Sequence, residues 1–275
     1  MTTPIHVLKL GGGTGIDAAP VLRNLAARVR AGERWVLVHG ASDAANRLAE
    51  QAGHPVQTLT GPGGHTSRYT DATMIELYCM AAASVNQQIA ATLAGLGAAS
   101  VGLAGPNVIA AERHTAIRAL RNGRPVIVRD DYSGTITGID AALLRALLDA
   151  GRIPVVAPVA LGAQAERLNI DGDLAAAAAA RALGAATLVI LSNVPGLLRD
   201  VADPDSLVRF IGVADLDAYE PLAQGRMKKK LMAARESGID RVILAGTGGD
   251  DPLDAALAGG GTHITREVHY AERTA

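Results

Sequence analysis

The chain has 275 residues, enough for one large or two small domains with a sizeable core. Hydrophobic residues make up 49% and charged residues 19%, and the formal net charge of −1 gives no global reason to expect nucleic acid or a membrane surface as partner. One cysteine, Cys79, excludes an internal disulfide and a cysteine-built metal site. No apolar stretch reaches membrane-span length and residues 1–10 lack a signal-peptide pattern, so a cytoplasmic protein is expected.

Ile5, Val7, Leu8 and Leu10 read as a buried strand that runs into Lys9-Leu10-Gly11-Gly12-Gly13. Glycines strip side chains from a strand-to-helix turn, so bare N–H groups can cradle an anion at the positive end of a helix. No G-x-x-x-x-G-K-[ST] string occurs, and Gly11, Gly13 and Gly15 fall two by two, which excludes G-x-G-x-x-G. What remains is an inverted phosphate loop, with the lysine on the strand. Val21, Leu22, Leu25 and Val29 mark one helical face, with Pro20 in its first turn. Trp35–Val38 is a strand ending at His39-Gly40, residues 43–52 are helical, and residues 71–95 form a longer apolar helix. Strands follow at Ala99–Leu103 and Pro125–Val128, with Ile136 in the hairpin partner of the latter. Ala141–Ala150 is a helix and Ile153–Ala157 a strand.

In the second half Asp173 precedes the alanine run Ala175–Ala180, a strong helix former. Thr187–Leu191 is a strand, Lys228–Glu236 a helix, Arg241–Ala245 a strand and Pro252–Ala258 a helix. Alternating strands and helices predict parallel pairing in a layered α/β fold. No charged or Pro/Ser-rich linker occurs, so two lobes, 1–165 and 166–275, are expected to share one continuous sheet.

Ligands gather at the carboxyl ends of such strands. Gly11–Gly13, Gly40-Ala41-Ser42, Asn169–Asp173 and Ser192–Gly196 are expected there. Asn169-Ile170-Asp171-Gly172-Asp173 offers a helix cap, by Asp171 or Asp173, and a platform for lysines or a magnesium-nucleotide. Gln224-Gly225-Arg226-Met227-Lys228-Lys229-Lys230 is the densest positive cluster, and successive helical residues point in different directions. Lys230, beside Leu231 and Ala233-Ala234, is the lysine able to point inward. With Lys9 it would suit a transferring phosphoryl group, which needs charge neutralisation more than proton chemistry.

Lys9-Leu-Gly-Gly, His39-Gly40, Arg68, Asn169-x-Asp-x-Asp173, Leu191-Ser-Asn-Val-Pro-Gly196 and Gly225-Arg-Met-Lys-x-Lys230 follow one another in the order of the amino acid kinase family. The resemblance covers nearly the whole chain and is closest to the acetylglutamate kinase branch. Within it, Asp131-Tyr-Ser-Gly-Thr135, Asn169–Asp173 and Ala223–Lys228 resemble the kinases of aminoadipate or glutamate attached to the carrier protein LysW. The resemblance implies an open three-layer α/β/α sandwich with a mainly parallel central sheet. Its N-terminal lobe would take the acyl substrate and form a homodimer, and its C-terminal lobe would take ATP. Lys9 and Lys230 would flank the phosphoryl group, Asp173 would orient both, and the amides of Gly11 and Gly12 would hold transition-state oxygens. Gly40, Ala41, Ser42, Arg68 and Asn169 match substrate positions, Arg68 taking the α-carboxylate as a bidentate pair. Ser192, Asn193, Gly196, Leu198, Leu222 and Gln224 match nucleotide positions. Mg²⁺ would arrive with ATP, with no metal ligand set expected in the chain. Ala41 stands where glycine is usual, and a positive φ there would strain it. Leu174 stands where glutamine is usual.

Arg113, Arg118, Arg121, Arg124 and Arg129 have no acid among them, although Glu112, Asp130 and Asp131 flank the stretch. They form either a solvated helix and hairpin or a patch that docks an acidic macromolecule. The resemblance implies the latter, with the small acidic carrier LysW as partner. A free small-molecule substrate, as in acetylglutamate kinase, and a non-catalytic sensor are the alternatives. The first strand begins within five residues, leaving no preceding helix to swap, so the dimer is expected to be insensitive to arginine.

Overall fold

The computed structural model describes residues 3–61, 66–121 and 124–266. The chain runs through β1 (Ile5–Leu10), α1 (Ala18–Arg30), β2 (Arg34–His39), α2 (Ser42–Gln51), β3 (Thr58–Thr60) and β4 (Thr66–Arg68). Then come α3 (Ala72–Gly95), β5 (Ser100–Leu103), β6 (Ile109–Arg113), β7 (Ile117–Arg121), β8 (Arg124–Val128) and β9 (Gly134–Ile139). Next follow α4 (Ala141–Asp149), β10 (Ile153–Val156), β11 (Val159–Leu161), β12 (Arg167–Asn169), α5 (Gly172–Leu183) and β13 (Thr187–Ser192). The last elements are β14 (Phe210–Gly212), α6 (Leu216–Tyr219), α7 (Arg226–Ser237), β15 (Arg241–Gly246), α8 (Pro252–Leu257) and β16 (Thr262–Thr265).

Eight strands form one sheet in the order β14-β16-β15-β13-β1-β2-β10-β5. Its pairings are parallel except β15 with β16. The sheet is continuous across residue 165, because β1 pairs with β2 on one side and β13 on the other. Both faces are covered, which is why these strands read as unbroken apolar runs. Alternation still sorts the side chains: Trp35 and Leu37 enter one core, Val36 and Val38 the other. The first core takes residues from α1, α3 and α8, such as Leu25, Leu93 and Leu253. The second takes Leu144 of α4, the alanines of α5 and Leu231 of α7. Ala175–Ala180 are all buried, so the middle of α5 packs on its neighbours through small side chains, with Leu174 and Leu183 at its two ends.

Two smaller sheets, β12-β11-β6-β9 and β4-β3-β7-β8, flank the main one. Their strands have three to six residues, too short for a clear period, and most were not expected. Here the structure corrects the hairpin. Ile136 lies in β9 opposite Ala111 of β6, whereas Pro125–Val128 pairs with β7. No described residue between Arg113 and Arg129 is helical. Ile117 and Ala119 turn inward while Arg118 and Leu120 turn out, a period of two that makes strand, not helix. Asn169 ends β12 of a small sheet, outside the main one. Among the described residues no helix is long and apolar enough to cross a membrane.

Candidate active site

Lys9 is the one charged residue of β1 that turns into the fold, and its ammonium lies 2.8 Å from Asp173 Oδ1. Lys230, in the second turn of α7, places its ammonium 2.9 Å from Oδ2 of the same carboxylate. Asp173 is fixed because Asp171 caps α5, accepting hydrogen bonds from the amides of Asp173 at 2.9 Å and Leu174 at 3.2 Å. Lys229 pairs with that cap at 3.4 Å. Lys9, Lys230 and Asp173 keep only 6–7% of their surface exposed, so two cations and one anion are enclosed together. The surplus positive charge would be costly in a low-dielectric interior. A further anion in contact with the trio would offset that surplus. Burial alone would raise the Asp173 carboxyl, but the two ammonium groups outweigh it and hold it well below the usual carboxylate range. Burial lowers Lys230, Asp173 opposes that shift, and the Lys9 charge adds to it.

The glycine loop lies alongside. Gly11 donates to Leu191 O at 2.9 Å and Gly40 to Leu10 O at 2.8 Å, so the loops after β1, β2 and β13 are stitched together. Asp43 N donates to Gly12 O at 2.7 Å. Ala41 has φ −139° and ψ 16°, so the positive φ that would strain it does not arise and alanine fits in place of glycine. Ser42 opens α2 and is half-buried. Leu174 packs against the core on the α5 side. A cavity of about 320 Å³ adjoins the loop, lined among others by Gly11, Gly12, Ala41 and Arg47.

His39 is buried beneath Gly40, its Nε2 3.1 Å from Asn86 Nδ2 and its Nδ1 3.2 Å from Gly40 O. Asn86 Nδ2 also donates to Val155 O at 2.9 Å, which fixes the amide orientation. Nε2 therefore accepts and Nδ1–H donates to Gly40. Burial pushes this imidazole down to about 4, against the Gly40 hydrogen bond.

Arg68 ends β4 and donates through Nη2 to Ser42 O at 3.1 Å and to Asn46 Oδ1. Its guanidinium also lies 5.9 Å from the Tyr78 ring centroid. Asn169 donates to Thr70 Oγ1 at 3.0 Å. Thr70 N in turn donates to Asp131 Oδ2 at 2.9 Å, with Asp131 wholly buried. Arg113 Nε donates to Asp131 O at 2.8 Å, and its guanidinium stacks 3.7 Å from the Tyr132 ring centroid. Thr70 Oγ1 also donates to the backbone carbonyl of Arg68 at 3.4 Å, so Thr70 links Asn169 to Asp131 and to the Arg68 main chain, while Arg113 is engaged inside this knot.

The remaining arginines do not share one face. Arg118 is exposed beside Leu120, and its register partner is the exposed Ile127. Arg124 is exposed but falls on the opposite face of the hairpin, across from Arg121. The side chain of Arg121 lies outside the described residues, and Arg129 is exposed just after β8.

Ser192 is buried at the end of β13 and accepts from Thr247 N at 2.9 Å through its carbonyl. Asn193 is exposed and Gly196 buried, and Leu198 bridges to Leu207. Leu222 and Gln224 lead into α7, where Gln224 is exposed and its carbonyl accepts from Met227 N at 3.0 Å. Sequence reasoning missed the His39–Asn86 pair and the Asp131–Thr70 knot. One signal was present: Asn86 is an amide on the buried face of the long apolar helix α3. Among the described residues no group of three or more His, Cys, Asp or Glu stands where it could hold a metal.

Comparison with known proteins follows the same lines. The [LysW]-aminoadipate kinase of Deinococcus radiodurans is 41% identical over 265 residues, covering 94% of this chain and 91% of that protein. The [LysW]-aminoadipate kinase of Thermus thermophilus is 42% identical over 266 residues, covering 94% and 99%. Among solved structures, N-acetylglutamate synthase from Neisseria gonorrhoeae, complexed with coenzyme A and N-acetylglutamate, superposes with a TM-score of 0.77 at 26% identity. That match covers 96% of this chain, which spans 60% of the synthase chain. Carbamate kinase from Giardia lamblia bound to AMP-PNP shares the fold, with a TM-score of 0.67 at 17% identity over 96% of this chain and 99% of that one. Residues 4–243 match the amino acid kinase family, and the chain belongs to it.

Proposed function

We propose that this chain is an ATP-dependent kinase of an N-blocked acidic amino acid, aminoadipate or glutamate attached to a LysW-type carrier. Its product is an acyl phosphate for lysine biosynthesis, and also for arginine biosynthesis where glutamate is carried. The observation that carries this reading is the buried Lys9–Asp173–Lys230 trio beside a bare glycine loop. Identity of 41% and 42% to two [LysW]-aminoadipate kinases, over nearly the full length, supports the carrier-linked substrate.

The side-chain carboxylate is already ionised at neutral pH, so its attack requires no general base. One carboxylate oxygen forms a bond to the γ-phosphorus while the bond to the β–γ bridging oxygen breaks and ADP leaves. Two anions must meet, and Lys9 and Lys230 offset their repulsion while Asp173 keeps both ammonium groups in place. Amides of Gly11 and Gly12 would hold the equatorial oxygens. Gly40, Ala41, Ser42 and Asn169 would position the acyl group, with Arg68 on its fixed carboxylate. Ser192, Asn193, Gly196, Leu198, Leu222 and Gln224 would hold the nucleotide. Mg²⁺, arriving with the nucleotide, would offset charge on the leaving phosphates. In this reading residues 1–165 form the acyl and dimer lobe and residues 166–275 the ATP lobe of a cytoplasmic homodimer.

An ADP-release assay with carrier-linked aminoadipate, carrier-linked glutamate and free acetylglutamate tests the reading. Turnover only with a carrier-linked substrate is expected. Turnover only with acetylglutamate makes it an acetylglutamate kinase, and none with any substrate makes it a sensor.

A further inference from the structure

We propose that Arg226 is a third cation of the phosphoryl site, a ligand for the anion held over the glycine loop; this rests on the kinase reading above. Arg226 opens α7, and Lys230 lies four residues on. Positions i and i+4 share one helical face about 6 Å apart, so α7 aims a second cation along the line of Lys230. Its position is fixed from the other side by Gly13. A side-chain β-carbon on Gly13 would have one neighbour within 4 Å, Arg226 Nη1 at 3.0 Å. The guanidinium therefore stands over the loop, and the missing side chain of Gly13 leaves it room.

Three of its α7 neighbours are paired. Lys228, exposed and two residues on, has no described carboxylate partner but, unlike Arg226, does not lie four residues from Lys230. Lys229 faces Asp171, Lys230 faces Asp173, and Arg235 faces Asp217 and Glu220. No described carboxylate pairs with Arg226. Burial lowers the Arg68 guanidinium, Tyr78 opposes that shift, and the charge of Arg226 adds to it. Among the described residues Arg68 itself donates only to neutral oxygens and to the Met74 sulfur. An uncompensated arginine fork on a glycine loop suits a phosphoryl group, which offers oxygens in the geometry that a guanidinium matches. Placement on the Lys230 face assigns it to the phosphoryl group rather than to the carboxylate that Arg68 would take.

The test measures AMP-PNP affinity by calorimetry, with Mg²⁺, together with steady-state turnover. Variants are Arg226→Gln, Arg226→Lys, Gly13→Ala and the Gly13→Ala/Arg226→Gln double. Arg226→Gln is expected to lower AMP-PNP affinity or kcat on the order of 10- to 100-fold, the range for one charge-assisted hydrogen-bonded contact. Arg226→Lys should recover part of that loss. Gly13→Ala should be harmful alone, by displacing the guanidinium, and add nothing in the Arg226→Gln background. Arg226 is exposed, so a melting curve equal to wild type is expected and separates this effect from unfolding. Unchanged affinity and kcat in Arg226→Gln, or a rise confined to the acyl-substrate KM, overturns the proposal alone. A wild-type chain that fails to bind AMP-PNP overturns the kinase reading and this proposal with it.

Discussion

Gly12 and Gly40 meet backbone to backbone: a β-carbon on Gly40 would fall 2.5 Å from Gly12 N and 2.9 Å from its Cα. A β-carbon on Gly12 would run into the Gly40 carbonyl group and Ala41 N. The contact exists because β1 and β2 are adjacent parallel strands, so the loops leaving them run side by side. We predict that Gly12→Ala or Gly40→Ala forces these loops apart at an overpacking cost of about 1–3 kcal/mol. Activity should fall at least about tenfold, since amide donors lose their aim at developing charge. Kinetics with circular dichroism check this, and a fully active, normally folded Gly12→Ala would overturn it.

The second prediction concerns the buried trio. Lys9→Ala and Lys230→Ala should each lower kcat by roughly 10²–10³-fold, with smaller changes in KM, as when one preorganised charge is lost. Asp173→Ala should match them in activity and exceed them in instability. It leaves two ammonium groups enclosed without a partner, and breaking a buried pair this way costs about 3–5 kcal/mol. Denaturant melts of the three variants decide it. A Lys230→Ala enzyme with near-normal kcat sinks the assignment.

Titration supplies the third. Lys230 is depressed, by burial first, below the ordinary lysine value of 10.5 and is needed charged. The alkaline fall in kcat should therefore begin below that value, and Lys230→Arg, if active, should move it upward. His39 has the opposite consequence for stability. Its folded value of about 4 lies below the ordinary 6.5, so the unfolded chain binds the extra proton between them. Stability from this group is full above pH 6.5 and declines as pH falls toward 4, by about 3 kcal/mol in total. Melts of wild type and His39→Gln across that window should converge at the acid end, and parallel curves would refute the account.

Why some of this was legible and some was not follows from the kind of signal each residue carries. Strands covered on both faces announce themselves as apolar runs, and Val36 to Val38 or Thr187 to Leu191 could hardly be anything else. Lys9 and Lys230 stood out because each is a charge bordered by core residues. Asp171 and Asp173 were both visible as possible caps, and only geometry could assign the cap to Asp171 and the lysine carboxylate to Asp173. The small sheets escaped because three-residue strands such as β4 and β12 have no period to read. Arg113 was misleading for a physical reason: charge counts treat every arginine as surface. A guanidinium can stack on a ring and donate to a carbonyl, as this one does on Tyr132 and Asp131.

That correction reshapes the fourth prediction, which concerns docking of the carrier. Arg118, Leu120 and Ile127 share the outer face of the β7–β8 hairpin, and all are exposed. A cation flanked by two exposed aliphatics is the surface that an acidic protein can both find and bury, through steering first and apolar contact after. Arg124 carries the same charge on the other face of the same hairpin, so it serves as an internal control. Arg118→Glu should raise KM for a LysW-linked substrate several-fold at low salt, and the difference from wild type should shrink as salt screens the attraction. Arg124→Glu should have a smaller effect. KM for ATP should stay unchanged in both, because Lys9, Lys230 and the glycine loop lie in other elements. Equal effects from Arg118→Glu and Arg124→Glu would mean that net charge alone steers the carrier. No effect of Arg118→Glu at any ionic strength would remove the hairpin from the docking surface.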